Sequence, residues 1–158
     1  MLSESARMNS AAEARFRVQA PNSLPRIVKV IAFDAASEAV VARLATAGWK
    51  QASFLTAASP DGALRTLAGL QRRVDDEFDA ADMVILVAGP GGHADAAPFI
   101  GQACSLRRIM TTGFVVGGAS ASESELSKTL AQLRPWSLMV VLARSDDYID
   151  DMMTALRA

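Results

Sequence analysis

The chain is poor in the residues that carry most site chemistry. Cysteine occurs once, at Cys104, and histidine once, at His93. A lone cysteine excludes an internal disulfide, and without a Cys-x-x-Cys pair the common zinc and redox motifs are excluded as well. Its flanks, Gln102, Ala103, Ser105 and Leu106, read as a turn of an amphipathic helix, so a packed thiol is expected there. No P-loop lysine, Gly-x-Ser-x-Gly elbow or His-Glu-x-x-His helix occurs.

Neither sign of charge prevails. Sixteen Lys and Arg stand against seventeen Asp and Glu, a net charge of -1. That balance leaves no electrostatic footprint for DNA, RNA or an anionic membrane. It also gives little repulsion between copies, so self-association or burial of a face against a protein partner is expected. Long apolar runs are missing too: the longest, Met83 to Ala88, falls far short of the ~20 residues of a membrane span. Met1 to Ser23 has no apolar centre and mixes Arg with Glu, unlike a secretory signal. The expected setting is a reducing, cytoplasmic one.

What the chain does contain is core material. Of 158 residues, 51% are hydrophobic and 21% charged, a composition that folds as one ordinary domain. Residues 1–25 lack a sustained apolar period and end in Pro21-Asn22-Ser23-Leu24-Pro25, which reads as a mobile tail with a turn-like stop. Within it, Ser10 to Phe16 could form a short helix on a partner.

From Arg26 onward, strand-like runs alternate with helical segments, the α/β signature. Strands are expected at Ile27 to Phe33, Ala52 to Ala57, Met83 to Ala88, Met110 to Val116 and Leu138 to Ala143. Helices are expected at Ser37 to Ala47, Gly62 to Phe78, Ala96 to Arg108, Ser122 to Leu133 and Ser145 to Arg157. Val40, Val41 and Leu44 stripe the first helix, Leu64, Leu67, Leu70 and Val74 the second, and Leu126, Leu130 and Leu133 the fourth. The strand runs are apolar on both faces, which calls for a sheet covered on both sides. The expected architecture is therefore a three-layer, Rossmann-like open sheet over 26–158. It is mostly parallel, with about five strands in the order 2-1-3-4-5 and helices on both faces. Ligands in such sheets bind at the switch point, here between the loops after strands 1 and 3.

The first of these loops reads Phe33-Asp34-Ala35-Ala36-Ser37-Glu38 and holds no glycine, whereas a phosphate cradle needs glycines for close approach and positive φ. Asp34 would repel a phosphate at about 4 Å by about 4 kcal/mol at an effective dielectric of 20. Asp34 or Ser37 serves instead as a helix N-cap. The second loop reads Gly89-Pro90-Gly91-Gly92-His93-Ala94-Asp95-Ala96-Ala97-Pro98. It is either a tight turn or a small-anion site, in which the Gly91 and Gly92 amides and His93 would hold a phosphate or carboxylate. His93 could also meet Asp34 and Asp95 around a metal, but a solvated histidine beside two helix-capping aspartates explains the same residues. The candidate ligand residues are thus Asp34, Gly89, Gly91, Gly92 and His93, with no catalytic or metal-ligating residue assigned.

Three stretches carry a family resemblance. Lys29-Val30-Ile31 through Val40-Val41-Ala42-Arg43-Leu44, then Ala80-Ala81-Asp82-Met83-Val84-Ile85-Leu86-Val87-Ala88-Gly89 with Gly91-Gly92 and Ala96-Ala97-Pro98, then Thr112 to Val116 with Leu138 to Leu142, are placed in order. Over about Pro25 to Tyr148 the chain resembles the nucleotide-binding half of the FtsZ/tubulin-like GTPases. The resemblance implies a GTP-binding fold, and the departures from it imply lost turnover. The family's first glycine run is replaced by Ala32, Asp34, Ala35, Ala36 and Ser37. His93-Ala94-Asp95 is shorter than the family's second loop and lacks its threonines. The family's third strand and phosphate-contacting loop are missing between Ala57 and Leu70, and the sequence stops at Ala158, before the central helix and the acidic hydrolysis-promoting loop. The expectation is a non-catalytic domain that has lost GTPase activity and acts as a binding or assembly module, without a required cofactor. The alternative is a site for a small anion, GTP or GDP, or a modest enzyme, at the Gly89 to Pro98 loop. A homodimer through an exposed helix face or an edge strand is a further expectation, since strands 2 and 5 would both be edges.

Overall fold

A computed structural model describes residues 24–57 and 59–158. The expected tail, apart from Leu24 and Pro25, and the short helix at Ser10 to Phe16 lie outside the described residues.

The chain forms one α/β sheet system. Its strands are β1 (Val28–Ala32), β2 (Ala52–Thr56), β3 (Leu64–Thr66), β4 (Gln71–Arg72), β5 (Met83–Ala88), β6 (Met110–Val115) and β7 (Met139–Leu142). Among the described residues the α-helices are α1 (Ala35–Ala45), α2 (Val74–Phe78), α3 (Ala97–Leu106), α4 (Glu123–Leu133) and α5 (Asp147–Ala155). The strands align as β4-β3-β2-β1-β5-β6-β7. Pairing is parallel from β2 through β7 and antiparallel where β3 and β4 attach. Among the described residues the sheet therefore has seven strands rather than about five, and the expected order 2-1-3-4-5 is corrected by a hairpin added outside β2.

That hairpin replaces most of the helix expected over Gly62 to Phe78. Leu64, Leu67, Leu70 and Val74 imitate a helical stripe, but Gly69 takes φ +87, a conformation open to glycine and incompatible with a continuing helix. The Gly69 N–H donates to the Thr66 carbonyl and the Thr66 N–H to the Leu70 carbonyl, closing a turn. Leu64 is buried, whereas Leu67 and Leu70 are 41% and 65% exposed. Only five residues at the end, Val74–Phe78, are helical. Asp75, Asp76 and Glu77 suit its positive N-terminal end.

Two cores cover the sheet. Ile31, Phe33, Leu55, Leu86 and Val115 face α2, α3 and α4 through Phe78, Ile100, Cys104 and Leu133. On the other side Val28, Val30, Ile85, Val87 and Phe114 face α1 and α5 through Val41, Leu44, Ile149 and Met153. β5 is the middle one of the five parallel strands and is buried at every residue, which is why its sequence is apolar without alternation. The helix changes sides between the β1–β2 and β5–β6 crossovers, so the switch point falls between β1 and β5.

Candidate functional site

The loops leaving β1 and β5 meet at that switch point. Asp34 is the N-cap of α1: its Oδ1 accepts the Ser37 N–H at 2.9 Å. The buried Ser37 hydroxyl accepts the Asp34 N–H at 3.1 Å, completing a capping box. The second carboxylate oxygen does something no local cap requires. Asp34 Oδ2 accepts the Gly89 N–H, at 2.8 Å, from a residue 55 positions along the chain. One carboxylate thus binds an amide from each side of the switch point, Ser37 in the first turn of α1 and Gly89 at the end of β5.

Glycine is required at position 89 by that approach. A Cβ there would lie 2.8 Å from the Ala36 Cβ and 3.3 Å from Asp34 Oδ2, closer than packed carbon atoms tolerate. Contact between the loops, rather than room for a ligand, is what the missing side chain provides.

Three further amides of the second loop turn to α4. Gly91 N–H donates to the Glu125 carbonyl at 3.1 Å, Gly92 N–H to Thr129 Oγ1 at 3.0 Å, and Ala94 N–H to Gln132 Oε1 at 2.8 Å. Thr129 in turn donates to the Gly89 carbonyl at 2.8 Å, and Gln132 Nε2 donates to the Gly92 carbonyl and to Asp95 Oδ1. Gly91 and Gly92 take φ +109 and +78, and this conformation aims their amides at the helix.

The five candidate residues are therefore divided. Asp34 and Gly89 are brought together; Gly91 and Gly92 are held by α4; His93 is exposed, its ring against Gly91. Asp95 is engaged by Gln132. Among the described residues no group of three or more His, Cys, Asp and Glu is placed to hold a metal ion. Thr129 and Gln132 were not singled out from sequence. Thr129 carried a signal, since it falls inside the apolar stripe Leu126, Leu130, Leu133, where a hydroxyl is buried only with partners.

Cys104 is buried in α3. Burial pushes its thiol up to about 12, against a smaller opposing pull from Arg107, so at neutral pH it is a protonated, packed side chain and a poor nucleophile. Arg107 itself is held in its charged form first by its hydrogen bond to Asp79 and also pairs with Asp75, fastening the end of α3 to α2. No helix among the described residues is long and apolar enough to cross a membrane. The chain matches no protein-family model and no curated protein sequence.

Proposed function

We propose that this chain is a degenerate, single-domain FtsZ/tubulin-like protein of the cytoplasm that has kept the nucleotide-binding architecture, lost GTP turnover and acts as a binding or assembly module. One observation carries the reading. The carboxylate of Asp34 takes the Ser37 and Gly89 amides at the switch point, the place where open α/β sheets receive their ligands. It is an internal anion in the place of an external one.

A phosphate brought to the Gly89 amide would face Asp34 at about 4 Å and be repelled by about 4 kcal/mol at an effective dielectric of 20. It would also have to displace two charge-assisted hydrogen bonds, the stronger kind. The alternative of a small-anion site at Gly89 to Pro98 loses support from the same loop, because the Gly91 and Gly92 amides already donate to Glu125 and Thr129.

Calorimetric titration with GTP and GDP, each with Mg2+, tests the proposal. No binding in the micromolar range and no phosphate release are expected. Sub-micromolar binding with turnover would overturn it.

A further inference from the structure

The two edges of the sheet are built differently. The β4 edge is two residues long, Gln71 and Arg72, both exposed, and a short charged edge resists pairing with another chain. The β7 edge has none of these devices. Ser137-Leu138-Met139-Val140-Val141-Leu142-Ala143 contains no charge, proline or glycine, and Leu138, Met139 and Leu142 are 78%, 53% and 50% exposed. Such a strand is a template for a further strand.

The flank of β7 is self-complementary. On the α4 side, two grooves of about 370 and 380 Å3 meet at Leu126 and Leu142. The second is lined by Glu123 at one end of α4 and Arg134 at the other, with Leu126 and Leu130 between them. Because α4 follows β6 and precedes the parallel β7, Glu123 lies toward the C-terminal end of β7 and Arg134 toward its N-terminal end.

Resting on the assembly reading above, we infer that the partner of this module is a second copy of the chain, joined β7 to β7 antiparallel about a two-fold axis at Val140. The Ala143 N–H turns inward to the Val115 carbonyl, so alternation along the strand turns the N–H and C=O of Val140 and Leu142 outward. A two-fold at Val140 sets Val140 opposite the second copy's Val140, where the pair exchanges N–H···O=C bonds. It sets Leu138 opposite the second copy's Leu142 on the α4 face, so both exposed leucines are covered. The antiparallel arrangement also brings Glu123 of each copy toward Arg134 of the other, charge meeting opposite charge. Since the β4 edge is blunted, the assembly closes at two copies rather than growing into a fibre.

Sedimentation equilibrium of the full chain tests this. A single species of twice the chain mass is expected, and a monomer across the micromolar range would overturn the pairing. Leu142→Lys, at a half-exposed position, should give a folded monomer by circular dichroism; a folded dimer would overturn the edge assignment. Should that variant unfold, the exposed charges decide. Glu123→Arg and Arg134→Glu should each weaken the dimer by about tenfold, and the double variant E123R/R134E should restore it. Unchanged single variants, or no restoration, would overturn the register. Nucleotide calorimetry on the same sample separates the two proposals: a monomer that binds no GTP sinks only the edge pairing, and a dimer that binds and hydrolyses it sinks only the lost-turnover reading.

Discussion

Asp34 is asked to do two things with two oxygens, and the pair can be separated by substitution. Asp34→Ala leaves the Ser37 and Gly89 N–H groups without their acceptor and should cost about 2–4 kcal/mol of stability, combining a lost cap with an unsatisfied donor. Asp34→Asn keeps a capping oxygen for Ser37 but turns an NH2 toward the Gly89 N–H, donor against donor. It should therefore cost about 1–3 kcal/mol, where a cap alone predicts almost nothing, since Asn and Asp cap equally well. Urea unfolding measures both, and an Asn variant as stable as the parent would show that the Gly89 bond holds nothing. The capping role was legible in the sequence because Asp34 and Ser37 stand three residues apart, within one helical turn. The bond to Gly89 was not, because nothing local to either residue announces a contact across 55 positions.

At the scale of elements, the segment 62–78 is where periodicity misled. Its leucines recur every three residues, but Gly62 and Gly69 both adopt positive φ, and the second of them turns the chain back on itself. The hairpin and the helix make opposite predictions for two of those leucines. Leu64→Ala should cost about 2–5 kcal/mol, as for a buried leucine, and Leu70→Ala less than about 0.5 kcal/mol, as for a surface position. A helix with a single buried stripe would make the two costs alike, so equal losses in denaturant unfolding would contradict the hairpin. Elsewhere the strands and helices lie within a few residues of their expected bounds. Met83–Ala88 coincides with its expectation, since a strand buried on both faces admits only apolar residues and its ends are marked by Asp82 and by the turn residues Gly89-Pro90.

For the whole molecule, the decisive asymmetry is between its two edges: one is short and charged, the other longer, neutral and lined with exposed leucines. A dimer held by that second edge couples folding to association, so its melting temperature must depend on protein concentration. A tenfold increase in concentration should raise the midpoint by about 1–2 °C. A midpoint indifferent to concentration, measured by differential scanning calorimetry on both sides of the dissociation constant, would speak for a monomeric fold.

The amino-acid order by itself determined the alternation of strands and helices, the central buried strand and the capped start of α1. Each of these depends on neighbours a few positions apart, whose spacing is the cause of the structure. Only the tertiary structure decided the fate of 62–78, the closure of the switch point by Asp34 on Gly89, the capture of the glycine loop by Thr129 and Gln132, and the covering of β2, expected as an edge, by the β3–β4 hairpin. Those outcomes turn on which distant backbones approach closely enough to share a hydrogen bond or leave one unshared, and the linear spacing of residues carries no measure of that distance.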